Sequence, residues 1–165
     1  MKRSKGFLLS CVIAAVGAMC IFLSGCNFNG GLSVTAYVDQ VSDNIHESVN
    51  LTRQYKKLSE KLDTRNAEDA KAAVEILDKL SDCYSRLLEL QAPDRYNDID
   101  DDLKKNAGEA LADVSQLKSL INNSQTTGSD SLFKTDSQRI MAHYETIYNE
   151  LTDINSQTRT RYRND

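Results

Sequence analysis

The chain has 165 residues, of which 20 are basic, 24 are acidic and 40% are hydrophobic. This length favours one folded domain, and the hydrophobic fraction is sufficient for a core. A net charge of −4 argues against general nucleic-acid binding, which requires a basic surface. The scarcity of helix breakers, with a single proline at position 93, favours long helices.

The N-terminal segment differs sharply from the rest of the chain. Lys2, Arg3 and Lys5 precede an apolar run over residues 7–23, and the run ends at Leu23-Ser24-Gly25-Cys26. A basic head followed by an apolar stretch and small residues is typical of an export signal. Its removal takes three of the 20 basic residues and leaves 17 against 24 acidic ones, a formal charge of −7.

The segment Leu23-Ser24-Gly25-Cys26 resembles the lipobox of bacterial lipoproteins, and the resemblance covers about the first 26 residues. It implies that the Cys26 thiol receives a diacylglyceryl group. It also implies that a signal peptidase recognises Leu23, Ser24 and Gly25 and cuts before Cys26. We therefore expect a protein that is lipid-anchored to the cell membrane and faces its extracytoplasmic side.

An uncleaved membrane anchor is the alternative for this segment. The apolar run approaches the roughly 18 residues that a membrane-spanning helix needs. An anchor of that kind has no need of a lipobox at its end, so we favour processing. Either interpretation places the domain at a membrane.

Four regions follow from this division. Residues 1–25 are the cleaved signal, 26–33 a short lipidated tether, 34–158 a helical domain and 159–165 a basic flexible tail. Cys83 is then the one cysteine of the mature domain, and its apolar surroundings predict a small buried hydrophobic residue.

The apolar periodicity of the mature region predicts four amphipathic helices. The first covers about residues 34–62, and Asn66 is expected to cap the second. Pro93 ends the second helix, and the third, with apolar positions from Tyr96 to Ile121, starts almost at once. The polar stretch 122–130 is predicted to be a loop, and the fourth helix starts between residues 131 and 136.

Four such helices with short links predict an all-α fold, an antiparallel up-down-up-down four-helix bundle. A three-helix bundle with a partly detached first helix is the alternative. In the four-helix arrangement the tether, the Pro93 turn and the basic tail share one end. The turn at residues 63–66 and the stretch 122–130 share the other.

Two surfaces are candidate contact sites. The predicted loop would present its exposed polar groups to a protein partner; these residues are Asn122, Asn123, Thr126, Gly128 and Asp130. The arginines of the tail would meet either anionic lipid headgroups or the nearby acidic residues; they are Arg159, Arg161 and Arg163.

An acidic cluster follows Pro93. Asp98, Asp100, Asp102 and Glu109 have the spacing of oxygen ligands in a calcium-binding EF-hand loop. Leu103, however, stands where that loop requires glycine. We therefore favour carboxylates in a first helical turn, where they complement the helix dipole, and expect no metal or cofactor.

The remaining polar residues predict no chemistry. His46 and His143 have no neighbouring ligands at a metal-binding spacing and are expected on the surface. The tyrosines on the helix stripes are expected at the edge of the core with their hydroxyls reaching water. No catalytic motif is recognisable, so an enzyme is not expected.

The sequence thus predicts a non-enzymatic binding or assembly module of the cell envelope that has a protein partner. The alternative is a bundle that senses a small ligand or a cation through Asp98 to Asp102 or the interhelical tyrosines. The link from helical bundle to function is fold-level analogy.

Processing at Cys26 is testable by intact-mass spectrometry of the protein from its native membrane. We expect a mass that starts at residue 26 and includes acyl chains, because a lipobox cysteine is modified before cleavage. A Cys26→Ala variant should lose this mass. An unprocessed mass starting at Met1 in the unsubstituted protein would instead establish a membrane-spanning anchor.

Overall fold

The computed structural model describes residues 32–127 and 130–164, and the side chains of residues 130–132 are not described. The predicted signal segment, the predicted lipobox residues Leu23 to Cys26 and most of the predicted tether lie outside the described residues. Within them the chain forms four long helices and no strand: α1 (Val34–Ser59), α2 (Ala67–Glu89), α3 (Asn97–Thr127) and α4 (Asp130–Asn164). A short 3₁₀ turn, Asp94–Tyr96, precedes α3.

The helix starts follow local capping rules. The Ser33 hydroxyl accepts a hydrogen bond from the Ala36 amide at 3.2 Å, which begins α1. Asn66 caps α2 as predicted, since its side-chain oxygen accepts from the Glu68 amide at 2.9 Å. Such caps satisfy amides that have no partner within the helix.

Each helix packs against two neighbours, in the cyclic order α1, α2, α3, α4 and back to α1. This arrangement confirms the four-helix bundle. The three-helix alternative is wrong, because α1 contributes fully buried side chains such as Tyr37, Val41 and Ile45 to the common core.

The helices α3 and α4 are longer than their sequence patterns indicate. Residues 122–127, predicted as a loop, continue α3, and residues 159–164, predicted as a flexible tail, continue α4. Ser124 explains the first extension, because it is buried and its hydroxyl lies 2.6 Å from that of Thr64. The hydroxyls of Thr126 and Thr127 donate to carbonyls four residues earlier in the same helix, a contact that is compatible with helical geometry.

The burial of the tyrosines differs most from the sequence prediction. Five of them are at most 1% exposed rather than at the edge of the core: Tyr37, Tyr55, Tyr84, Tyr96 and Tyr144. The Tyr144 hydroxyl lies 2.7 Å from that of Thr52 and 2.5 Å from that of Tyr84. One hydrogen-bonded group therefore links α1, α2 and α4 in the middle of the core.

Tyr144→Phe should lower the free energy of unfolding by about 1–3 kcal/mol, because it removes a hydrogen-bond partner from each of two buried hydroxyls. Urea denaturation followed by circular dichroism measures the change. Tyr148→Phe is the matched control, since Tyr148 is only half-buried and a surface substitution usually changes stability by about 0.5 kcal/mol or less. Equal effects of the two substitutions would show that the hydroxyl network does not stabilise the core.

Candidate functional site: the two ends of the bundle

The connectivity brings the start and the end of the described chain together at one end of the bundle. The Leu32 amide donates to the Gln91 carbonyl at 3.3 Å, so the chain enters the domain beside the turn after α2. The hydroxyls of Thr35 and Tyr162 lie 3.2 Å apart. We call this end, marked by Leu32, Gln91 and Tyr162, the tether end, and the opposite end the distal end.

Asp98 and Arg161 form the main ion pair of the tether end. Two nitrogens of the guanidinium contact the two carboxylate oxygens at 2.6 and 2.8 Å, a bidentate geometry. Arg161 also donates to the Arg95 carbonyl at 2.7 Å and lies over the Tyr96 ring. Hydrogen bonding from Arg161 lowers the pKa of Asp98 to about 2. This ion pair connects the end of α4 to the start of α3.

Asp100 is the buried member of the acidic cluster. It accepts a hydrogen bond from the Tyr37 hydroxyl at 3.0 Å and pairs with Lys104 at 2.7 Å. Burial, together with the charge of Asp100, raises the pKa of Tyr37, so the phenol keeps its proton and acts as the donor. Asp100 therefore connects α3 to α1.

The residues with EF-hand spacing do not form a calcium loop. Asp98, Asp100, Asp102 and Glu109 all lie on the continuous helix α3. Carboxylates two residues apart on a helix point about 200° apart, so they cannot converge on one ion. Among the described residues, no group of three or more His, Cys, Asp or Glu side chains is arranged to hold a metal ion.

The structure separates the three arginines of the predicted tail. Arg161 is held by Asp98, whereas Arg159 and Arg163 are exposed. The two exposed arginines line a shallow cleft of about 220 Å³ together with Val38, Asp39 and Tyr162. They are available to a ligand at the tether end.

The distal end is formed by the turn between α1 and α2 and by the junction of α3 with α4. The buried Thr64–Ser124 hydrogen bond ties the two parts together. Asn122, Asn123 and Thr126 lie on the last turns of α3 with exposed side chains. Gly128 lies outside the described residues, and Asp130 begins α4.

The sequence patterns did not predict the burial of Thr64 and Ser124. Ser124 lies three residues after Ile121, the last apolar position of the α3 stripe, and this spacing continues the buried face. A small hydroxyl residue carries no apolar signal, so only its position on the helix indicated its burial.

His143 is a titratable group with a defined partner on a neighbouring helix. Its Nδ1 lies 2.7 Å from Oδ2 of Asp113, a residue that is only 4% exposed. The hydrogen bond and charge of Asp113 raise the pKa of His143 above its ordinary value. The imidazole itself is exposed, which makes this pair a solvent-facing contact between α3 and α4.

Cys83 is buried as predicted, and its thiol is free. Burial is the main cause that raises its pKa to about 12, so the sulfur remains a thiol at neutral pH. Its role is that of a small core residue.

None of the helices in the described part of the chain carries a stretch apolar enough to cross a membrane. Comparisons with protein-family models, with curated proteins and with solved structures found no match to this chain.

The His143–Asp113 pair predicts a pH-dependent stability. Its contribution should be complete below the ordinary histidine pKa of about 6.5 and should be lost as the pH rises through the raised folded pKa. His143→Gln should therefore destabilise the protein more at pH 5.5 than at pH 9, as measured by urea denaturation. The exposed His46 provides the control, and a pH-independent effect of His143→Gln would contradict the prediction.

Proposed function

We propose that this protein is a membrane-anchored extracytoplasmic lipoprotein whose helical domain is a non-enzymatic binding or assembly module of the cell envelope. The single observation that carries the proposal is the lipobox ending at Cys26, six residues before the chain enters the bundle at Leu32. The anchor and the tether end of the bundle are thereby adjacent in the chain.

The short tether limits the distance between the domain and the bilayer. Six residues span at most about 20 Å when fully extended. The helices themselves are longer, since α4 has 35 residues and extends for about 50 Å at 1.5 Å per residue. The bundle would hold its distal end well away from the membrane while its tether end stays near the lipid surface.

Arg159 and Arg163 suit a secondary contact with anionic lipid headgroups. Both are exposed at the tether end, and a basic residue near such a surface contributes about 1 kcal/mol. Asp39 in the same cleft reduces that attraction. The arginines would orient the domain on the membrane, and the Cys26 lipid would supply most of the membrane affinity.

The distal end is the surface that we assign to a protein partner. Its exposed amide and hydroxyl side chains, on Asn122, Asn123 and Thr126, can donate and accept hydrogen bonds. They lie on the last turns of a helix rather than in a loop, which reduces the backbone entropy lost when a partner binds.

The alternative, a bundle that senses a cation through the acidic cluster, has less support. The carboxylates of Asp98 and Asp100 are engaged by Arg161, Tyr37 and Lys104. A cation would have to displace ion pairs that hold the helices together.

Photocrosslinking in intact envelopes tests the proposal. A photoreactive residue at Asn123 should capture an envelope protein, whereas one at Lys105, also exposed on α3 but about 27 Å nearer the tether end, should not. A Cys26→Ala chain should lose the capture at Asn123, because it would not be held at the membrane. Equal capture at both positions, or none at Asn123, would argue against a distal partner surface.

A further inference from the structure

The charge of α1 changes sign along its length. Residues 34–50 carry three exposed acidic side chains, Asp39, Asp43 and Glu47, and no lysine or arginine. Residues 51–61, at the end of α1 and just after it, carry four basic residues and one acidic residue. In a chain with a net charge of −4, the distal part of this helix is therefore a local basic surface.

Three of these basic residues form what we call the distal basic patch: Arg53, Lys57 and Lys61. All three are exposed, and none of them has an ion pair or a side-chain hydrogen bond within the described part of the chain. Arg53 and Lys57 are four residues apart on α1, so they lie on the same face of the helix. The Lys61 amide donates to the Leu58 carbonyl at 3.1 Å, which continues the last turn as far as Lys61.

Local helix energetics account for only part of this arrangement. Basic residues in the last turn complement the helix dipole, and this applies to Lys56 and Lys57. Arg53 lies more than one turn before the end of α1 at Ser59, where that effect has fallen off. Like charges four residues apart repel each other and slightly destabilise a helix. A negatively charged partner would remove the repulsion between Arg53 and Lys57.

The position of the patch argues against the lipid surface as that partner. Lys57 lies about 35 Å along α1 from Val34, which is at the tether end. If α1 instead lay flat on an anionic bilayer, the exposed Asp39 and Asp43 would meet the lipid together with the patch and would be repelled. A compact partner at the distal end meets the basic part of α1 alone.

An apolar groove beside the patch favours a protein over a polyanion such as polyphosphate. This groove of about 460 Å³ lies between α1 and α4, and Met141 is a half-buried part of its lining. Lys56 and Glu60 of α1 also line it. Protein interfaces combine apolar contacts with a polar rim, whereas a phosphate polymer has no apolar group to place in the groove. The Glu60 carboxylate would also repel a continuous polyanion.

We propose that the distal basic patch binds an acidic segment of a protein partner, in which carboxylates are interspersed with apolar side chains. The carboxylates pair with Lys57, Lys61 and Arg53, whose guanidinium favours a bidentate contact. An apolar side chain of the segment contacts Met141 in the groove. This inference rests on the proposed function, because it gives the chemistry of the protein partner assigned there to the distal end.

A labelled peptide tests this chemistry on the purified protein. The probe is a fluorescein-labelled peptide with repeats of Glu-Glu-Leu, and a matched peptide has serine in place of each leucine. Fluorescence anisotropy, titrated with the full-length protein in a non-ionic detergent, gives the affinity, with protein-free micelles as the blank. We expect saturable binding of the leucine peptide and weaker binding of the serine peptide. Raising the salt from about 0.05 M to about 0.5 M should weaken binding at least tenfold, because salt screens exposed charges.

Paired substitutions locate the contact. Arg53→Gln combined with Lys57→Gln should weaken binding of the leucine peptide about tenfold, the effect of two exposed ion pairs. The matched control combines Lys79→Gln with Lys105→Gln. These two lysines are also exposed and have no ion pair within the described residues, so the control makes the same change of charge elsewhere. The control should leave the affinity unchanged within about twofold. If the first pair fails to fold, Lys61→Gln, which lies after α1, should still weaken binding about threefold.

The proposal is overturned if both double variants lose the same affinity, if the serine peptide binds as tightly as the leucine peptide, or if polyphosphate of equal charge binds more tightly than either. Absence of peptide binding while photocrosslinking at Asn123 still captures a partner would contradict the acidic chemistry alone. Peptide binding at the patch without capture at Asn123 would instead contradict the proposed function.

Discussion

The bundle depends on the pairing of its first and last long helices. Thr52 of α1 and Tyr144 of α4 are separated by 92 residues and meet in the core through their hydroxyls. The Lys56–Glu145 ion pair and the Thr35–Tyr162 hydrogen bond lie along the same pair of helices. Without this closure, the side chains of α1 that face α4 would be exposed to water. The α1–α4 contacts thus connect the first and last helices of the described chain.

Buried polar groups connect the helices of this bundle through its interior. Apolar packing on its own leaves the register of neighbouring helices weakly defined, whereas a buried hydroxyl or carboxylate requires a partner at one position. The Asp100–Tyr37 hydrogen bond joins α3 to α1, and the Tyr84–Tyr144 hydrogen bond joins α2 to α4; in each case the two helices are not neighbours in the packing order. Among the described residues, the Tyr55 hydroxyl and the side-chain oxygens of Asn106 and Asn155 are buried without a hydrogen-bond partner and depart from this rule.

The sequence predicted the helices correctly wherever the prediction depended on residues close together in the chain. Caps at Asn66, the break at Pro93 and the apolar stripes depend on residues within one or two helical turns, and the helices formed where these signals predicted them. The predictions were wrong at residues 122–127 and 159–164. In those segments polar side chains are held in helices by partners far along the chain, such as Thr64 for Ser124 and Asp98 for Arg161.

By itself the sequence determined the all-α class and the number and approximate bounds of the helices. It also predicted a lipid anchor at Cys26. These features depend on periodicity, capping and a processing motif, which are all formed by residues close together in the chain. Only the tertiary structure decided which polar residues are paired across helices and which are exposed. Arg161 and Arg163 are two residues apart, yet Arg161 forms an ion pair with Asp98 and Arg163 is exposed. The physical reason is that a contact between distant segments depends on the relative rotation of packed helices, and that rotation is defined by the whole core.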